Sequence, residues 1–303
     1  MNNTGKSRTW IWVLLGAGIF FVFLFAIAAV MIVAVSGSHG GEFGGFGDKI
    51  AVVDLEGVII EPQTVVKQLK EFADDDSVKA IIIHINTPGG GAAASQEIYN
   101  EVRRIRDQKK KMVVSSVETL GASGGYYVAA GTDKIYADRA SIVGSIGVIA
   151  EWINYGDLLK WAKLKDETMK AGALKDAGNP ARDMTPAERA YFQGQLDDMH
   201  GQFIAAVAEG RKMKVEEVKA LADGRVWTGQ QALPLKLIDK LGDFEMAVDE
   251  TAKAVGIKGE PVLVHPEKQR RTLLDVIFGD VSHFVPDKTK LLDTHIAFYY
   301  LWK

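Results

Sequence analysis

The chain has 303 residues, 36 Lys and Arg against 39 Asp and Glu, a formal net charge of −3 and no cysteine. A balance so close to neutral leaves no basic footprint for nucleic acid. The missing cysteines exclude disulfides, thiolate catalysis and cysteine metal sites together.

Residues 1–9 carry Lys6 and Arg8 and no acidic side chain. Trp10 to Val35 follows, 26 residues without a charge or a proline. At about 1.5 Å per residue this exceeds the roughly 30 Å of bilayer hydrocarbon. A cleaved leader has an apolar region of only about 7–15 residues. The expectation is therefore a retained single-pass transmembrane anchor. Its basic flank puts the N-terminus in the cytoplasm and the remainder outside the cell membrane. Residues 36–47 (SGSHGGEFGGFG) are glycine-rich and read as a tether.

From residue 48 the pattern alternates. Ile50 to Leu55 reads as a strand, Thr64 to Ala73 as a helix and Ala80 to Ile85 as a buried parallel strand. Ala92 to Asp107 reads as a helix, Met112 to Val117 as a strand and Ser123 to Gly131 as a helix. Ile135 to Ala137 and Ser145 to Ala150 read as short strands, and Glu167 to Ala171 as strand-like. Thr185-Pro186-Ala187-Glu188 is a capping box opening a long helix that ends near Gly210. Shorter helices follow at Val215 to Ala222, after Thr228 and at Phe244 to Ala254, then a strand at Pro261 to Val264. Strands alternating with helices imply an α/β domain, 48–265, with a mainly parallel sheet. The 266–303 tail ends in Phe298-Tyr299-Tyr300-Leu301-Trp302. It reads either as a dock for membrane or neighbour, or as a segment packed on its own domain.

Ser123 lies in Gly121-Ala122-Ser123-Gly124-Gly125, between a strand and a helix start. A hydroxyl there is exposed to substrate, and nearby amides can stabilise an oxyanion. The Gly124 amide is one candidate donor. A second comes from the Gly89-Gly90-Gly91 turn, with Gly90 the candidate. Serine needs a base. None of the six histidines (His39, His84, His200, His265, His283, His295) follows Ser123 on a nearby strand. His84 reads as packed, and His200 as a solvated or packed helix residue. The candidate base is Lys175, in a loop of glycine and small residues; Lys163, Lys165 and Lys170 compete, and spacing does not choose among them. A lysine amine accepts a proton at neutral pH only where burial disfavours its charge. Ser145, in Gly144-Ser145-Ile146-Gly147, is the candidate that holds the amine in place.

Four segments in this order carry a resemblance: Asn86 to Gly91, Gly121 to Tyr127, Gly144 to Val148 and Lys170 to Asp176. They resemble the bacterial signal peptide peptidase A family, in its short form, from about Lys49 to Gly256. Asp223 to Gly229 matches too. The resemblance implies a crotonase- or Clp-protease-like α/β fold and a serine endopeptidase with Ser123 as nucleophile, Lys175 as general base and Ser145 orienting it. It implies a homo-oligomeric ring, an octamer, whose sites are completed by two neighbouring protomers. The implied substrates are remnant signal peptides and other apolar peptides at the membrane, cut beside small or medium apolar side chains in a narrow pocket. No metal or organic cofactor is indicated. Lys236 departs from the family, which usually has glycine there. Two alternatives stand beside this expectation: a related membrane Ser-Lys protease for one membrane-protein partner, and a crotonase-like binding protein without protease activity.

Overall fold

The computed structural model describes residues 48–266 and 298–302. No helix among them is long and apolar enough to cross a membrane. The anchor expected at 10–35, the tether at 36–47 and most of the 266–303 tail lie outside the described residues.

The sheet is built on three long strands, β1 (Lys49–Glu56), β2 (Val78–Thr87) and, after the short β3 (Gly89–Gly91), β4 (Met112–Ala122). Helix α1 (Gln63–Asp74) links β1 to β2, and α2 (Ala92–Arg104) leads toward β4. Next come α3 (Gly124–Ala130), β5 (Lys134–Ala137), β6 (Ile142–Gly144), β7 (Ile149–Ala150) and α4 (Gly156–Trp161). The long α5 (Pro186–Arg211) precedes α6 (Val215–Lys219), β8 (Val226–Thr228), α7 (Gly229–Ala232), β9 (Lys240–Leu241), α8 (Phe244–Ala254), β10 (Val262–Val264) and β11 (Phe298–Leu301).

The main sheet runs β10-β1-β2-β4-β5-β9 with every neighbour parallel. Parallel strands need both faces covered, which is why β2 is apolar at successive positions. Ile81, Ile83 and Ile85 pack with α1, α2, α3 and α5 on one face, while Ile82 packs with Ala247 and Val248 of α8 on the other. Each such buried isoleucine contributes roughly 1.5–3 kcal/mol.

The outer end of β4 leaves this sheet. Leu120 to Ala122 pair with β6, which pairs antiparallel with β8. Ser145 to Ala150, expected as one strand, is broken: Gly144 and Ser145 both take positive φ, so β6 stops and only Ile149–Ala150 resumes extended pairing. Glu167 to Ala171 forms no strand either and lies exposed in a loop. A second, antiparallel sheet is ordered β3-β11-β7. Lys236 has φ +60°, the left-handed conformation that glycine adopts freely. The departure from glycine at this position therefore bears on the backbone rather than on side-chain packing.

Candidate active site

Ser123 caps β4 and precedes α3 at φ 52°, ψ −116°. Its amide donates to the Gly144 carbonyl (2.7 Å), and its carbonyl accepts from the Tyr127 amide (2.8 Å). These bonds hold an otherwise costly backbone and leave the side chain at the carboxyl end of a parallel strand, where open α/β sheets bind ligands. Ser145 shares the positive φ of Ser123, and its amide donates to the Arg225 carbonyl (2.9 Å). The Asp223 to Gly229 segment thus supports the second serine.

Both serines line one cleft of about 660 Å³, together with Gln193, His200, Leu301 and Trp302. His200 faces this cleft, and its Nε2 is buried without a hydrogen-bond partner among the described residues. The sequence does hold a signal for this: Gln193, Leu196, Asp197 and His200 all line the cleft and recur at helical spacing along α5.

The Gly89 to Gly91 turn is pinned from two sides. Ile59 donates to the Gly89 carbonyl and accepts from the Gly91 amide, both at 2.8 Å. On the other side β11 pairs antiparallel with it, Tyr300 opposite Gly90. The Trp302 amide donates to the Pro88 carbonyl (2.9 Å), which marks that pair as a bonded one. Hydrogen-bonded pairs alternate in antiparallel ladders, so Gly90 and Tyr300 form the next one. A methyl group placed on Gly89 would sit 2.0 Å from the Tyr300 carbonyl oxygen and 2.5 Å from the Gly124 nitrogen. Gly89, Gly90 and Gly124 thus lie against the Tyr300 peptide, while Ser123 and Ser145 line the adjoining cleft with Leu301 and Trp302. The tail strand that supplies that peptide packs on its own domain, the second of the two readings of Phe298 to Trp302.

Lys175 is elsewhere. It is exposed, does not line the Ser123 cleft and has no ion-pair partner among the described residues. Its amide donates to the Gly172 carbonyl (3.2 Å) in the loop between α4 and α5. Its competitor Lys170 pairs with Asp176. Arg182 ties this loop to α5, reaching Asp176 (2.9 Å) and Glu188 (2.5 Å).

Glu188 also completes the capping box with Thr185. The Arg182 guanidinium, aided by the Thr185 amide, holds its carboxyl down from 4.5 to about 2. A depressed folded-state value means stability that is present above about pH 4.5 and lost as pH falls toward 2. Thermal melts across that window should show the wild type losing its advantage over Glu188→Gln. A gap between the two that stays constant from pH 5 to 2 would contradict the assignment.

Fold and site together define a serine protease of the Clp-like α/β class. The sequence profile of peptidase family S49 matches residues 105–258, and that of Clp protease matches 57–143. A protein of Synechocystis named as a protease is 38% identical over 236 residues, covering 77% of this chain and 84% of the relative. A protein of Enterococcus faecium named as a signal peptide peptidase is 36% identical over 228 residues, covering 70% of this chain and 65% of the relative. Protease 4 of Haemophilus influenzae is 31% identical over 259 residues, but this chain spans only 40% of its length. The chain belongs to peptidase family S49.

Proposed function

We propose that the protein is a membrane-anchored endopeptidase that degrades remnant signal peptides, with Ser123 as nucleophile, Lys175 of a neighbouring copy as general base, and Ser145 holding that amine. The observation that carries the reading is the Ser123 groove itself. It takes an extended segment as a central antiparallel strand, with one carbonyl against Gly90 and Gly124. A substrate peptide entering by the same strand addition meets main-chain bonds on both edges. The Ser123 Oγ then attacks the scissile carbon while its proton passes to the lysine amine. The Gly90 and Gly124 amides receive the oxyanion, a contribution of roughly 3–4 kcal/mol per donor. The protonated lysine returns the proton to the leaving amine, and water releases the acyl chain from Ser123 by the reverse sequence.

The case for a neighbour's lysine rests on the arm that carries it. Ile153, Trp161 and Met169 are 82%, 79% and 99% exposed on the segment around Lys175, an unusual apolar display for a surface that stays in water. A second copy packed there covers those side chains and brings its partner's Ser123 within reach of the loop. An exported face also agrees with the apolar segment at 10–35 and its basic flank.

Co-expression tests the arrangement in the full chain. Ser123→Ala and Lys175→Ala should each be inactive alone. Mixed in one heterologous ring, they should recover about a quarter of wild-type peptide hydrolysis, since one junction in four pairs an intact serine with an intact lysine. A mixture as dead as its parents would place the base within the same copy. A Lys175→Ala protein of normal activity would remove this lysine from the chemistry.

A further inference from the structure

The Gly90 and Gly124 amides belong to different elements, and one buried side chain touches both of those elements. Thr87 ends β2 opposite Gly121 of β4 and is 0% exposed. A hydroxyl and a methyl on one Cβ restrict its rotamers, so the directions of the two groups are tied together. The hydroxyl donates to the Gly57 carbonyl and accepts from the Gly89 amide (3.0 Å). The methyl lies against the start of α3: a methyl group added to Gly125 would sit 2.5 Å from Thr87 Cγ2.

The three amides of the glycine turn are divided in their use. That of Gly89 goes to Thr87 Oγ1, and that of Gly91 to the Ile59 carbonyl (2.8 Å). The Gly89 carbonyl accepts from the Ile59 amide (2.8 Å). Carbonyl and amide of a trans peptide point opposite ways, so the Gly90 amide is turned away from Ile59 and toward the groove. Gly57 lies two residues before Ile59, so the Thr87 hydroxyl joins the turn to the segment that orients it. Ser95 adds a second tie. Its hydroxyl donates to the Gly91 carbonyl (3.0 Å), and a methyl group on Gly124 would run into its Oγ.

We propose that Thr87 is a positioning residue for the reaction, setting the separation of the Gly90 and Gly124 amides, its hydroxyl holding the first and its methyl the second; the inference rests on the protease reading above. Oxyanion donors act only when aimed at the place the charge will occupy in the transition state. Main-chain pairing of a bound peptide tolerates a looser spacing, so an error in the separation falls on kcat and spares KM. A misplacement of about 1 Å is enough for a loss of about 100-fold.

The test uses the full chain and one fluorogenic peptide. Thr87→Val keeps the shape and the methyl but has no hydroxyl; its kcat should fall by about 30- to 100-fold with KM within about 3-fold of wild type. A peptide aldehyde, which bonds to Ser123 as a tetrahedral adduct, should lose affinity by the same factor as kcat. Thr87→Ser keeps the hydroxyl and should recover kcat to within about 5-fold of wild type. The methyl is tested from the other side. Gly125→Ala should lower kcat by about 10-fold, and Gly125→Ala with Thr87→Ser, which removes the Cγ2 in its way, should restore most of that loss. A folded Thr87→Val with near-normal kcat, or one whose loss lies in KM, overturns the positioning role and leaves the protease intact. If Thr87→Val does not fold, the Gly125 pair decides, and a double variant no faster than Gly125→Ala overturns the role. A wild type that cuts nothing and takes no fluorophosphonate label at Ser123 overturns the protease reading, and the role of Thr87 falls with it.

Discussion

Ser123→Ala should reduce kcat for peptide hydrolysis by roughly 10⁴–10⁶, the loss seen when the nucleophile of a serine protease is removed and its remaining machinery is left in place. Two features make this the largest expected effect on activity. The alternative hydroxyl in the cleft, that of Ser145, is carried by a different turn, whose backbone is anchored by the Ser145 amide donating to the Arg225 carbonyl. The removed atom is a single oxygen on a 1% exposed side chain. Folding should be little changed, because alanine at this φ is no worse placed than serine. Peptide binding in the groove should persist, since main-chain pairing with β3 and β7 does not involve the hydroxyl. Steady-state kinetics, a fluorophosphonate label and a melting curve on the same preparation check all three. Retention of a tenth of the wild-type rate would mean that another group attacks the substrate.

The largest effect on stability is expected far along α5. Gly210 lies against the last residue of α3, and a methyl group there would sit 1.8 Å from the Ala130 carbonyl oxygen and 2.8 Å from its carbon. Both atoms are backbone, so no rotamer change gives relief. Either the long helix lifts or α3 shifts, and α3 begins directly after Ser123, the proposed nucleophile. Gly210→Ala should cost about 3–4 kcal/mol, at the upper end for overpacking, which is a fall of about 10 °C in melting temperature for a domain of this size. The same helix supplies its own controls. Gly194 and Gly201 have nothing within 4 Å of an added methyl group. Alanine at either should raise stability by about 0.5–1 kcal/mol through helix propensity alone. If Gly210→Ala melted with Gly201→Ala, the close approach of the two helices would be wrong.

Much of the fold is legible in the chain because its strongest signals are local. The run Ala80 to Ile85 is apolar on both faces and becomes the middle of the sheet; Thr185 to Glu188 carries its own hydrogen-bonding logic and starts α5 at Pro186. Ser123, Gly124 and Gly90 were named as candidates from the same kind of signal, since glycine clusters mark turns where backbone must approach closely. What failed depended on distant partners. Ser145 to Ala150 reads as a strand by composition, yet the amide of Ser145 is claimed by Arg225, 80 positions away in the chain. Nothing in Phe298 to Leu301 says that it will lie between β3 and β7, because strand addition is governed by the edges that receive the strand. His200 was read as an ordinary helix residue, since helical spacing shows which side chains share a face and leaves open what that face looks upon. Lys175 was paired with Ser123 only through the family resemblance, and within one copy it is exposed and lies outside the Ser123 cleft.

The backbone at Ser123 also bears on how this position can change over evolutionary time. A residue other than glycine at φ 52°, ψ −116° costs on the order of 1–3 kcal/mol, so the proposed nucleophile is held against folding stability. Threonine carries a competent hydroxyl, but its branched Cβ fits such a conformation worse than serine does. Glycine fits it best and removes the proposed nucleophile. A duplicated copy released from selection for hydrolysis would therefore drift toward glycine at this position, gaining stability as it lost the nucleophile. On the proposed assignment, serine at this position is what continued selection for turnover over thermal robustness would retain.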